Sequence, residues 1–244
     1  MKKLHVLLAA SAMLVASQTQ AAPITGFTGA QAAYTGYTQD LAAAAWMNPS
    51  NSAESHSSGI LPFGIQAAVE VASLKIDPNA AQWQAVGYTE STIPLPRVRL
   101  SAGIPFGLDV GYMTLSSTDL GIDLKGYEIR MAFGNYIPVP MLEANVRYYS
   151  STLTLTDLEV KSTGYALMVG ANLPIVKPYI EVGTGTSTSS ATGAIAALGL
   201  QELDETNSTL TLGAKVELAL FIINLEKSTV GDRDLTTVKL GFEF

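Results

Sequence analysis

Apolar and polar side chains alternate with a period of two in ten stretches of this chain, so each stretch reads as a strand between two unlike surroundings. In LEANVRYY (142–149), Leu142, Ala144, Val146 and Tyr148 share one face, and Glu143, Asn145, Arg147 and Tyr149 share the other. TTVKLGFEF (236–244) sets Val238, Leu240, Phe242 and Phe244 against Thr237, Lys239, Gly241 and Glu243. The same reading holds at 65–76, 97–104, 106–115, 126–133, 164–173, 178–183 and 209–218, and more briefly at 222–227. The stretch at 97–104 is the least regular, because Pro94 and Pro96 fall at its start and suit an edge better than a continuous ladder.

Alternation alone suits a secreted soluble β-sandwich as well as a membrane barrel. The connections separate the two. One set is tight and apolar, at 103–107, 134–140, 172–177 and 219–224. The alternate set is longer and polar, at 77–92, 116–123, 150–162, 184–208 and 228–235. Short turns at one rim and long loops at the other mark a transmembrane barrel. Tyr112, Tyr127, Tyr148 and Tyr165 fall toward the long loops, and Phe106, Phe133, Tyr136, Tyr179, Phe221 and Phe242 fall beside the tight turns, as two aromatic girdles would. The expectation is an all-β, transmembrane antiparallel β-barrel over 59–244, of about ten strands with eight or twelve left open.

The first 21 residues carry Lys2 and Lys3, then an apolar run from Leu4 to Ala16, then small and polar residues, which reads as a cleaved secretory leader. Fourteen basic against 21 acidic residues, with two of the lysines in the leader, argue against nucleic acid as a partner. The absence of Cys excludes disulfides, thiolate metal sites and thiol catalysis. These features place the chain in the outer membrane of a Gram-negative envelope. Its expected partners there are outer-membrane lipid and lipopolysaccharide. The aromatic terminal strand resembles the signal by which the barrel-assembly machinery recognises its clients.

Residues 22–58 carry no strand pattern. TQDLAAAAWM reads as a short helix capped by Thr38 or Asp40 and stopped at Asn48-Pro49, either inside the barrel or as a periplasmic segment. Gly29, Ala33, Tyr34, Gly36, Asp40, Asn48 and Pro49, in this order and spacing, resemble the hatch segment of the FadL-type family of outer-membrane transporters. This chain has Ser50 where that family has Ala, and about ten strands where the family resembles fourteen. The resemblance implies a hatch within the barrel, with Tyr34, Gly36, Asp40, Trp46, Asn48 and Pro49 as hatch or ligand residues and a small hydrophobic compound as cargo.

The polar faces carry Glu70, Arg97, Arg99, Asp109, Glu128, Arg130, Glu143, Arg147, Lys215 and Glu217, with Glu181, Lys239 and Glu243 beside them. These charges line either an open pore or a lumen packed with ion pairs, and a small barrel favours the packed lumen. Neither a catalytic constellation, a metal site nor a cofactor is expected. His56, in SAESHSSG, reads as a solvated turn histidine. The apolar stretch 193–203 and Trp83 either fold over the barrel mouth or pack on neighbouring loops. Two functions stay open: a barrel that binds or transports small hydrophobic compounds, or a structural or surface-interaction barrel with a sealed, ion-paired lumen.

Overall fold

The computed structural model describes residues 31–56, 63–117 and 121–244. The expected leader at 1–21, Gly29 of the hatch-like motif and the stretch 57–62 lie outside them. Ten antiparallel strands form one closed barrel: β1 (Gly64–Lys75), β2 (Thr92–Ile104), β3 (Leu108–Ser117), β4 (Ile122–Ala132), β5 (Leu142–Leu155), β6 (Leu158–Ala171), β7 (Val176–Ala191), β8 (Leu203–Leu218), β9 (Phe221–Val230) and β10 (Arg233–Glu243). Each pairs with its sequence neighbours. β1 closes on β10 where Ile65 and Phe244 exchange main-chain hydrogen bonds of 2.7 and 3.0 Å. Closure leaves no free edge in the belt that meets lipid. Among the described residues no helix is long and apolar enough to cross a membrane.

The two prolines have a geometric consequence. Ile65 bonds toward β10, so the even residues of β1 bond toward β2, and the register makes the odd residues of β2 their partners. The even residues of β2 therefore aim their N–H groups at β3, and Pro94 and Pro96 have none to offer. Pairing with β1 runs up to Lys75–Thr92, whereas pairing with β3 stops at Val98–Thr114. The strand is intact on one side and an edge on the other over its first six residues.

Each strand keeps its side-chain parity from end to end, but on several strands the chemistry of the two faces inverts partway up, whereas the inward faces of β7 and β8 stay polar with Ser187, Ser189, Glu205 and Asn207. On β5, Val146 and Tyr148 point outward near the short-turn end, and Ser150, Thr152 and Thr154 continue that outward face. The inward face runs from Asn145 and Arg147 to Leu153 and Leu155. β6 does the same, with Leu167 and Val169 followed outward by Thr163, Lys161 and Glu159, and with buried Leu158 and Val160 inside. The half near the short turns thus has an apolar exterior and a charged interior, as a lipid-spanning belt requires. The other half has a polar exterior over an apolar core that includes Leu74, Leu124, Leu153, Leu158 and Leu235.

This inversion explains why the second set of connections is shorter than expected. β5 and β6 continue to Thr156-Asp157, β9 and β10 to Gly231-Asp232, and β7 and β8 leave only 192–202 between them. Runs such as TLTL (152–155) alternate Thr, which pairs well in strands, with Leu, so they extend the hairpins beyond the belt instead of looping. The aromatic girdles form in part: Tyr112–Tyr127 and Tyr148–Tyr165 pack with ring centroids 5.1 Å apart, and Phe221–Phe242 with centroids 4.8 Å apart. Tyr179 does not join them. It shares the parity of Glu181 and points into the lumen, where it is buried.

Inside the upper half lies α1 (Gln31–Ala45), longer than the expected helix, so Thr38 and Asp40 are mid-helix and not caps. The Thr35 and Thr38 hydroxyls donate to the carbonyls of Gln31 and Tyr34, at 2.9 and 3.1 Å, satisfying themselves within the helix. Packing of Tyr34, Tyr37, Leu41 and the alanine run against the apolar core outweighs the weak propensity of YTGYT. Two short helices cover the mouth, α2 (Ala81–Ala85) and α3 (Gly193–Ala196), each burying one side chain, Trp83 and Ile195.

Candidate functional site

After Ala45 the chain leaves the helix and descends through the charged half of the barrel without regular structure to His56, beside the start of β1. Non-helical backbone at membrane depth is tolerated only where protein satisfies its polar groups. Here the barrel wall does so. Arg97 donates to the carbonyls of Ala44 and Trp46, Ser151 to that of Ala45 at 2.6 Å, and Arg147 to that of Met47 at 2.8 Å. Arg99 reaches the carbonyls of Asn48 and Pro49 at 2.8 and 3.3 Å. Lys239 holds that of Ser50, Arg130 that of Ser52 at 3.0 Å, and Asn145 that of Ala53 at 3.0 Å. The arginines nearest Ala44 also meet the negative end of the α1 dipole.

The four arginines are also bound among carboxylates, Lys239 instead holds Gln66 at 2.7 Å, and the charges of the lumen form two chains. Across β1, β2, β4, β5 and β7 the first runs Glu70, Arg99, Glu128, Arg147, Glu181, with separations of 3.3, 3.2, 3.1 and 2.7 Å. Arg97 lies 3.7 Å from Glu70, and Arg130 pairs with Asp109 at 2.6 Å. The second chain lies nearer the short-turn rim and runs His56, Glu243, Lys215, Glu217, Lys177, Glu54, each step between 2.6 and 2.9 Å. Alternation of sign along the first chain, and from Glu243 to Glu54 along the second, is what lets so many charges be buried together.

Most of the expected lumen charges meet in these networks. Glu143 does not: half-buried near the short-turn rim, it accepts from Asn172 at 3.5 Å and sits against Gly134. His56 is not a solvated turn residue. It is buried, with Nδ1 2.9 Å from Glu243 and Nε2 2.8 Å from Asn51. Sequence reading passed over Lys177, Glu226 and the lumenal role of Tyr179. Glu226 accepts from the Tyr179 hydroxyl and from Asn48 Nδ2, the latter at 2.7 Å. Its inward parity on β9, shared with Asn224, was the available signal.

The hatch residues divide by height. Asn48 and Pro49 lie in the charged half, Asn48 donating to Ser50 and Glu226 and accepting from Arg97 at 3.1 Å. Trp46 is buried edge-on to Tyr149, centroids 6.3 Å apart. Higher up, Asp40 accepts from the Trp83 indole at 2.8 Å and from Arg233 at 3.0 Å, tying α1 to the β1–β2 connection and to the start of β10. Gly36 permits that approach, since a Cβ there would stand 2.9 Å from the Gln82 side chain. Tyr34 is buried in the same core. Trp83 and Ile195 close over the plug from the mouth, Trp83 edge-on to Tyr37 at 5.2 Å.

The space beside Trp46 and Tyr149 is only about 10 Å³. Among the described residues no group of three or more carboxylate or imidazole side chains converges to hold a metal ion.

No protein-family model matches the sequence, and none of the curated proteins matches it. Among solved structures, the N-terminal β-barrel domain of Pseudomonas aeruginosa OprF is similar at 11% identity over 73% of this chain and 97% of that one, with a TM-score of 0.36. Neisserial surface protein A is similar at 14% identity, covering 76% of this chain and 98% of its own, with a TM-score of 0.35. The translocator domain of the autotransporter NalP from Neisseria meningitidis, at 12% identity, covers 91% of this chain and 99% of its own, again with a TM-score of 0.35. The chain is a closed ten-stranded antiparallel β-barrel with a lipid-facing belt and a lumen filled by its own N-terminal segment.

Proposed function

We propose that this protein is an outer-membrane β-barrel closed at rest, a structural or surface-interaction barrel whose N-terminal segment seals the lumen. The observation that carries this reading is the grip of the wall on the plug. Between residues 44 and 53 every main-chain carbonyl except that of Asn51 accepts from a barrel side chain. A segment held at so many points, among arginines that are themselves ion-paired, blocks the path through which ions or solutes would pass. The barrel orients with its short turns in the periplasm, inserts through the assembly machinery by its terminal strand, and has outer-membrane lipid and lipopolysaccharide as its surroundings. In planar bilayers the wild-type protein is expected to show no steady conductance, and deletion of residues 31–56 is expected to open one. Steady conductance from the intact protein would overturn the reading.

A second reading is a barrel that takes up small hydrophobic compounds when the plug shifts, as the FadL-type resemblance implies. The position of Asn48 and Pro49 within the lumen supports it. A single cysteine at Asn48 tests it, because the chain has no native thiol. A hydrophobic compound that uses this path alters labelling of that cysteine by a membrane-impermeant reagent, and unchanged labelling across hydrophobic compounds counts against it.

A further inference from the structure

On the outer face of the barrel, just above the belt, Lys125 on β4, Thr152 on β5 and Lys161 on β6 stand in one register row. Two strand spacings separate the lysine Cα atoms by about 9.5 Å, so both flexible ammonium groups can converge over the Thr152 hydroxyl. The two lysine side chains are 51% and 62% exposed, which leaves them free to meet a ligand from outside. Each touches one carboxylate, Asp123 at 2.8 Å and Glu159 at 2.7 Å, both one row further from the belt. Exposed pairs of this kind contribute little and leave the remaining ammonium protons unused.

One row intervenes, Tyr127, Ser150 and Thr163, and below it the wall is apolar and hollowed. Ile129, Val146, Tyr148, Tyr165, Leu167 and Val182 line an outward groove of about 740 Å³ across β4 to β7. The Tyr148–Tyr165 pair forms its upper end, two rows beneath the lysines. A cationic row over an aromatic step and an apolar groove matches a lipid with phosphate at its head and acyl chains below.

We propose that this strip, Lys125, Thr152 and Lys161 over the groove, binds the phosphorylated diglucosamine lipid of outer-leaflet lipopolysaccharide, its phosphate held by the two lysines and one acyl chain laid in the groove. The proposal rests on the outer-membrane reading, which puts the long-connection half of the barrel at the outer leaflet. Failure of that reading would appear as failure to insert into bilayers, whereas failure of this site alone leaves insertion intact.

The test uses the full mature protein in detergent free of glycolipid, titrated with diphosphorylated lipid A and read by native mass spectrometry. The wild type is expected to retain lipid A, and the Lys125→Gln, Lys161→Gln double variant to bind it at least tenfold more weakly. Lys227→Gln, on the outward face of β9 away from the row, is the control and is expected to bind as the wild type does. Equal retention by the double variant overturns the proposal. So does equal binding of dephosphorylated lipid A, which would mean that the groove acts without the lysines, or of phosphatidylglycerol, which would mean that no glycolipid is selected.

Discussion

The Arg147 guanidinium donates to the main-chain carbonyl of Met47 at 2.8 Å, joining a β5 side chain to the plug. From the same group, Nη2 holds Glu181 at 2.7 Å and Nη1 lies 3.1 Å from Glu128. One side chain therefore bridges two carboxylates and satisfies a backbone group that water cannot reach. The planar fork of arginine suits this triple task, and an ammonium does not.

Arg147→Ala should accordingly destabilise the barrel by about 3 to 5 kcal/mol, the usual loss when one partner of a buried pair is removed. Arg147→Lys should lose less, since it keeps the charge while giving up part of the fork. Urea unfolding in detergent micelles measures both, and a wild-type midpoint for Arg147→Ala would contradict the network.

Much of the lower lumen was legible because a period of two assigns a face to every residue of a strand. Arg147, Glu128 and Lys215 were placed inward on that ground alone. Tyr179 was misread because its ring suggested a girdle, although its parity with Glu181 gave the right answer. The length of α1 was not legible, since Tyr34 to Thr38 are weak helix formers that only the surrounding core makes helical. Nor was the grip on the plug, because a main-chain carbonyl carries no residue identity. The interior of the upper half was in plain view as Leu153, Leu155, Leu158 and Val160, but those residues lay in a stretch expected to be a loop.

The prolines of β2 make a local prediction. Pro96 stands where an N–H would face Ser116 across the gap to β3. Replacing Pro94 and Pro96 with Thr restores two donors on that side and should lengthen the β2–β3 ladder. Amide exchange at Leu115 to Ser117 is expected to slow in the double variant, with the β1–β2 amides unchanged. Unaltered exchange at Leu115 to Ser117 would mean that something other than the missing donors ends the ladder.

Acid should loosen the plug through Glu54. Its carboxylate lies 2.9 Å from the Lys177 ammonium and 3.4 Å from that of Lys215. A carboxylate paired in this way contributes stability while it is ionised, and protonation below the unfolded value of about 4.3 removes that contribution. The urea midpoint of the wild type is therefore expected to drop below about pH 4. Glu54→Gln should start lower at neutral pH and show a shallower acid limb, because the titrating group is gone. Parallel acid limbs in the two proteins would assign the effect to other carboxylates.

The inversion of the two faces is the feature on which the membrane position depends, and β5 alone can test it. Val146 and Thr154 share the outward parity of that strand, one within the apolar belt and one above it, while Leu153 points into the upper core. Val146→Arg places a charge in the hydrocarbon region and should cost about 2 to 4 kcal/mol. Thr154→Arg, on the same face but in the polar zone, should stay within about 0.5 kcal/mol of the wild type. Leu153→Ala removes buried methyl groups from the core around α1 and should cost about 2 to 5 kcal/mol. Folding equilibria in lipid vesicles separate the three. If Thr154→Arg were as damaging as Val146→Arg, the belt would extend above Tyr148, and the row of Lys125 and Lys161 would lie too deep to meet a lipid phosphate.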